Sequence, residues 1–96
     1  FEKAIEIKPN LFEAQINLGI AWGYKGEFKK AHFHYKKAIQ IQPQNHQTYL
    51  MLANSLYNNK DWKEAVRYYR DVLKLNSKLF QARENLRKAL QKLEDN

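Results

Sequence analysis

Apolar and polar positions along the chain follow a helical period. Small and apolar residues recur at intervals of three or four over 15–22 and again over 28–38. This spacing places one face of each segment toward a core and predicts an amphipathic α-helix. The pattern loses its phase at Gly26, a turn residue, so the two segments are predicted to be two separate helices. With only three Gly and two Pro in the chain, the sequence predicts an all-α fold.

The two-helix pattern occurs twice. The segment Ala-Ile-Glu-Ile-Lys-Pro begins at Ala4, and Ala-Ile-Gln-Ile-Gln-Pro begins at Ala38, an interval of 34 positions (38 minus 4). The same interval relates Leu18 to Leu52. A repeat of this length indicates an array in which each two-helix unit packs against its neighbours.

Proline divides the units. Pro9 and Pro43 lack the amide hydrogen that a continuing helix needs, so we expect a helix to end near each of them. The predicted division is the end of a truncated repeat, two complete repeats and a capping helix, namely 1–9, 12–45, 46–79 and 80–96.

The repeated residues resemble the tetratricopeptide repeat, whose pattern is Trp-x2-Leu-Gly-x2-Tyr, then Ala-x3-Phe, then Pro. The first copy here is Gln15-x2-Leu18-Gly19-x2-Trp22, Ala31-x3-Tyr35 and Pro43; the second is Tyr49-x2-Leu52-Ala53-x2-Leu56, Ala65-x3-Tyr69 and Ser77. The resemblance covers the whole chain and implies a right-handed α-solenoid of antiparallel helix pairs. Two departures are Gln15 and Arg83, which replace the aromatic residue at the first position of the pattern.

The recurring small residues have a packing role in this interpretation. Gly19 and Ala53 lie where a larger side chain would hold two helices apart, and we expect aromatic residues such as Tyr35 and Tyr69 to pack against such positions. These positions therefore explain the fold and not the ligand.

The two ends of the chain are predicted to differ. At the C-terminus, one helix face is expected to pack inward and the rest to form a polar cap, so that the chain ends at or near its natural terminus; the inward face is Leu79, Leu86, Leu90 and Leu93. At the N-terminus, the repeat phase predicts an apolar edge that further upstream repeats or a second copy would cover; it comprises Phe1, Ala4, Ile5 and Ile7.

The resemblance implies a binding surface, because the first helix of each unit in this family lines a concave groove. By position, the predicted groove comprises Glu13, Ile16, Asn17, Ile20, Gly23, Tyr24, Gln47, Leu50, Met51, Asn54, Tyr57, Asn58, Gln81, Glu84, Asn85, Lys88 and Gln91. It is expected to bind an extended or helical peptide segment of a partner protein, in a scaffold or adaptor role.

Asparagines are prominent in the predicted groove. An Asn side chain both donates and accepts hydrogen bonds, so it can pair with a peptide backbone of any sequence. Asn17, Asn54 and Asn85 are candidates for such contacts, and hydrogen bonding within the array is the alternative. A clamp for a terminal carboxylate is not favoured, because Ile16 and Ile20 stand where that clamp has Lys and Asn.

The distribution of charge along the chain argues against a nucleic-acid partner. The net charge of +7 raises the question of nucleic acid, but the basic residues fall on the second helices, outside the largely neutral groove. The second-helix basic residues are Lys29, Lys30, Lys36, Lys37, Lys63, Arg67, Arg70 and Lys74. No nucleic acid partner is predicted.

Catalytic and metal chemistry find no support in the sequence. The chain has no Cys and no catalytic or phosphate-binding motif, so we predict no enzyme activity and no cofactor. His32 and His34 are two positions apart and point in different directions on a helix, so they and His46 are interpreted as surface residues and not metal ligands. No apolar run approaches the roughly 20 residues needed to cross a bilayer.

The alternative function is homo-oligomeric self-assembly through the N-terminal edge or the convex face.

Overall fold

The structure, a computed structural model, describes residues 2–95, with side chains described for 11–95, and every regular element in that range is an α-helix. The helices are α1 (Glu2–Tyr24), α2 (Phe28–Ile41), α3 (His46–Asn58), α4 (Trp62–Leu75) and α5 (Phe80–Asp95). Each helix packs against the next along the chain, and α3 also contacts α5. The predicted all-α helical-repeat fold is confirmed.

The predicted helix break at Pro9 is wrong. α1 runs without interruption from Glu2 to Tyr24. Proline removes one backbone donor, but its fixed φ is compatible with a helix, so it bends or weakens a helix without having to end it. Pro43 does lie between helices, and there Asn45 provides a helix start by accepting a hydrogen bond from the Gln47 amide at 3.1 Å. The predicted N-terminal apolar edge lies outside the described side chains.

The two turns within the repeats have the same geometry. Gly26 (φ 79°) and Lys60 (φ 66°) both adopt the left-handed conformation, and they are 34 positions apart (60 minus 26). In each turn the next amide bonds back across the helix end, from Glu27 to the Trp22 carbonyl and from Asp61 to the Leu56 carbonyl, both at 2.9 Å. This pattern is the Schellman motif, which satisfies helix-end carbonyls through a left-handed residue. The equivalence to Gly26 identifies Lys60 as the turn residue, two positions after α3 ends.

The core confirms the predicted packing of aromatic rings on small residues. A Cβ atom added to Gly19 would lie 2.5 Å from Cε1 of Tyr35, so the ring occupies the space that a side chain would need. In the second unit, Ala53 and Tyr69 are both buried in the same cluster. The absence of a side chain at Gly19 therefore lets α2 approach α1 closely.

One contact between the two helices of a unit is polar in the first unit and aromatic in the second. In the first, His34 Nδ1 lies 2.7 Å from Gln15 Oε1. At the equivalent positions of the second, the rings of Tyr49 and Tyr68 pack with centroids 6.4 Å apart. Gln15 departs from the aromatic pattern because its partner on α2 is also polar.

The leucines of α5 do not all pack inward as predicted. Leu79, directly before α5, and Leu86 are half-buried, but Leu90 and Leu93 are each 38% exposed. In the described part of the chain α5 packs mainly against α4 and more weakly against α3, and these contacts leave the far end of its apolar stripe partly uncovered.

Candidate interaction groove

Three adjoining clefts follow the first helices of the units. The N-terminal cleft, of about 200 Å³, includes Ile16 and Met51, and the central cleft, of about 380 Å³, includes Ile20 and Met51. The C-terminal cleft, of about 320 Å³, shares Asn54 with the central one. The shared residues connect the clefts into one groove along α1, α3 and α5.

Most of the predicted groove residues line these clefts. Those that do are Glu13, Ile16, Ile20, Gly23, Tyr24, Gln47, Met51, Asn54, Tyr57, Asn58, Asn85 and Lys88. Those that do not are Asn17, Leu50, Gln81, Glu84 and Gln91. Leu50 instead packs against the core, and the Glu84 carboxylate pairs with Arg87 at 3.0 Å.

The central cleft owes its depth to Gly23. In the second unit, the equivalent residue Tyr57 packs edge-on against Trp62, with ring centroids 4.9 Å apart. In the first unit, Phe28 stands at the position of Trp62, but a Cβ atom added at Gly23 would meet nothing within 4 Å. The space that an aromatic side chain fills in the second unit is therefore open in the first, beside the 89% exposed Tyr24.

Phe28, Tyr35 and Ser55 also line the central cleft, although the sequence interpretation did not place them in the groove. Tyr35 was assigned to packing, and it lines the cleft as well. The signal that could have revealed them is the 34-residue equivalence of Gly23 to Tyr57, because a missing side chain uncovers its neighbours.

Two of the three candidate asparagines bond to each other. Asn85 Nδ2 donates to Asn54 Oδ1 at 3.1 Å, and the hydroxyl of the buried Tyr69 donates to the same oxygen. Burial raises the pKa of the Tyr69 hydroxyl well above its usual range, so it stays protonated and remains a donor. The alternative of hydrogen bonding within the array therefore holds for this pair. Asn17 is exposed.

The groove chemistry consists of apolar contact and hydrogen bonding. Within the described residues, no three His, Asp or Glu side chains come together to hold a metal ion. No described helix is long and apolar enough to cross a membrane. The basic residues of α2 and α4 are exposed and do not line the three clefts, so the groove stays nearly neutral.

The histidines connect helices more than the sequence interpretation expected. His32 Nε2 lies 3.1 Å from Ser55 Oγ, which joins α2 to α3. His46 Nε2 lies 3.4 Å from the Nδ2 atom of Asn76, in the segment before α5. His32 and His46 are only partly exposed, so they belong to contacts between elements.

The half-buried position of His32 predicts a pH dependence of stability. Burial, the largest effect, lowers the pKa of His32; Asp61 opposes this shift and Lys36 adds to it. The unfolded chain therefore takes up a proton near pH 6.5 while the folded chain resists it. We expect the free energy of unfolding to fall as pH drops below about 6.5, and to level off below the folded-state pKa.

Urea denaturation at about pH 7.5 and pH 5.5 measures this effect. His32→Gln keeps a polar partner for Ser55 and removes the titration, so it should lose less stability between the two pH values than the wild type. His34→Gln is the matched control, because His34 lies on the same helix and contacts Gln15 of α1 instead of Ser55. Equal pH dependence in the wild type and His32→Gln would contradict the prediction.

Comparison with known proteins agrees with the geometry. Residues 25–96 match the family model described as anaphase-promoting complex, cyclosome, subunit 3. Anaphase-promoting complex subunit 3 of Schizosaccharomyces pombe is 30% identical over 95 residues, which cover 99% of this chain and 14% of that protein. The chain thus spans a small part of this relative's length.

Among solved structures, the N-terminal domain of stress-induced protein-1 (STI-1) from C. elegans superposes with a TM-score of 0.83 at 26% identity. The match covers 92% of this chain and 75% of that chain. The predicted membership of the tetratricopeptide repeat family is confirmed, and repeats of this kind are non-catalytic scaffolds for protein–protein interaction.

Proposed function

Because the chain belongs to the family of anaphase-promoting complex subunit 3, we propose that it binds a peptide segment of a partner protein in the groove along α1, α3 and α5. The observation that carries this proposal is the run of three clefts connected by Met51 and Asn54. A continuous groove is long enough to contact several successive residues of a peptide, whereas a single pocket contacts only one or two.

The central cleft supports a specific mode of binding. A large apolar side chain of the peptide enters the space beside Gly23 and packs against Phe28, as Tyr57 packs against Trp62 in the next unit. Burial of an aromatic anchor in a concave site is the usual source of most of the binding energy in such complexes. Asn58, which is exposed at the cleft, is available to bond the peptide backbone.

The substitution Gly23→Tyr tests this mode, because it places in the first unit the residue that the second unit already accommodates. Peptides about 12 residues long, selected by phage display on the immobilised chain, provide the probe, and fluorescence anisotropy measures affinity. We expect Gly23→Tyr to weaken binding at least about tenfold by filling the cleft, and Gly23→Ala, the matched control, to leave it nearly unchanged.

Circular dichroism and thermal melting establish that both variants are folded. The groove proposal fails if the selected peptides bind Gly23→Tyr as tightly as the wild type. Asn54→Ala is less suitable than Gly23→Tyr, because it removes the acceptor of the buried Tyr69 hydroxyl and so lowers stability as well as binding.

Self-assembly is a second candidate function, supported by one observation on α1. Leu11 and Leu18, seven positions apart on one helix face, are both exposed, and the small residues Ala14 and Ala21 extend the same face. An apolar stripe of this kind promotes association between copies. Sedimentation velocity over a concentration series separates the two functions, because assembly raises the mass without any added peptide.

A further inference from the structure

A fourth cleft lies outside the groove, between α4 and the C-terminal half of α5. It is the largest of the four, at about 580 Å³, and it shares no lining residue with the groove clefts. Its floor is apolar and consists of Val66 from α4 with Leu90 and Leu93 from α5.

The repeat shows what shape of occupant this floor fits. Leu90 is equivalent to Leu56 of α3 (90 minus 34), which is only 6% exposed because α4 packs against α3. In both complete units a first helix pairs with a second helix. α5 is a first helix, and no second helix follows it within the described residues. The uncovered end of the apolar stripe of α5 is therefore a surface against which another helix can pack.

The charges around the cleft indicate the chemistry of that helix. Four exposed basic residues and one acidic residue, Asp71, line the α4 side of the floor; the basic residues are Lys63, Arg67, Arg70 and Lys74. The ion pairs Arg67–Glu64 and Lys74–Asp71 are exposed and long, at 3.9 and 4.0 Å, so they neutralise little of this charge. A helix with carboxylates along the flank that faces α4 complements this basic wall.

Charge also opposes a second copy of this chain that places its own α4 in the cleft. The exposed face of α4 that a second copy would present carries the same basic residues, and like charges brought together at an interface oppose association. Nucleic acid is a poorer fit, because phosphates gain nothing from the leucine floor.

We infer that the α4/α5 cleft binds an amphipathic helix of a partner protein, with an apolar stripe at three- and four-residue spacing and Asp or Glu on the flank that faces α4. The helix lies along α5 as α4 lies along α3. This contact is independent of peptide binding in the groove, since the two surfaces have no residue in common.

The experiment uses a synthetic, fluorescein-labelled amphipathic peptide about 16 residues long, with Leu along one face and Glu on the flanks. Anisotropy titrations compare the wild type with the double variant Lys63→Glu/Arg70→Glu. We expect the variant to bind at least about tenfold more weakly, because it places like charges opposite the glutamates. A peptide with Lys in place of Glu should not bind the wild type measurably.

The repeat provides a matched control. Lys29→Glu/Lys36→Glu makes the same charge change at the equivalent positions of α2 (63 minus 34 and 70 minus 34), away from the cleft, and should leave the affinity unchanged. All four lysine and arginine side chains are exposed, and circular dichroism checks that both variants are folded. Leu93→Ala, which shortens the floor without changing charge, should weaken binding several-fold.

Three results would overturn the inference. The first is no saturable binding of the Glu peptide, and the second is an equal loss of affinity in the two double variants, which indicates charge attraction without a site. The third is a dimer in sedimentation velocity that Leu93→Ala dissociates, since a second copy would then occupy the cleft. Gly23→Tyr should not affect this peptide, so failure here is distinguishable from failure of the groove proposal.

Discussion

Truncation of Leu52 to alanine should lower the free energy of unfolding by about 2–5 kcal/mol, whereas Leu18→Ala should lower it by less than about 1 kcal/mol. The two leucines occupy the same position of the repeat, 34 residues apart. Leu52 is fully buried and Leu18 is 43% exposed. The difference arises because α3 has helices of both units against it, while α1 is packed only against α2 among the stronger contacts.

Urea denaturation followed by circular dichroism measures both losses on the same chain. The substitution removes the same atoms in each variant, so differences in side-chain chemistry cancel. Equal destabilisation by the two substitutions would mean that the exposed face of α1 is covered in solution. That result would favour the self-assembly function, and sedimentation velocity on the wild type would then have to show an oligomer.

A methyl group at Gly19 should destabilise the fold by about 1–2 kcal/mol, although alanine is the better helix former. The added Cβ atom would lie 2.5, 2.7 and 2.9 Å from three ring carbons of Tyr35. The ring is buried in the core cluster, so a shift that makes room for the methyl group disturbs its packing. The cost of this overpacking exceeds the gain of about 1 kcal/mol in helix propensity.

Gly23→Ala is the matched control for Gly19→Ala, one helical turn further along α1. Nothing lies within 4 Å of its added Cβ atom, so helix propensity alone should raise the free energy of unfolding by about 0.5–1 kcal/mol. Thermal and urea unfolding of the two variants measure changes of opposite sign. If both variants are stabilised, Tyr35 does not pack on Gly19 as closely as the structure has it.

The groove illustrates how far sequence reasoning extends. The 34-residue register assigned residues to first helices, and most of those residues line the clefts. Periodicity could not indicate which residues of a first helix line the clefts, and Leu50, predicted for the groove, lines none of the three. Periodicity also could not reveal that Asn54 and Asn85 form a hydrogen bond with each other, because these residues lie on different helices, 31 positions apart in the sequence (85 minus 54).

Two local sequence rules do not hold in this protein: that proline ends a helix, at Pro9, and that a left-handed turn residue is glycine, at Lys60. Proline predicts a helix end only when other signals agree: Asn45 caps the helix that follows Pro43, whereas α1 continues through Pro9. Lys60 adopts a left-handed φ that local propensity assigns to glycine. The repeat overrides that propensity, since the Schellman bonds of the turn recur at the same position in both units.

The sequence by itself determined the helical class, the 34-residue repeat and the pairing of small with aromatic residues, because these depend on periodicity and side-chain volume within one unit. Only the tertiary structure decided which copy of a repeated residue is buried and which is exposed. Burial depends on how many neighbours a helix has, and that number changes along the array while the repeated residues do not. The uncovered leucines at Leu90 and Leu93 are a consequence of that difference.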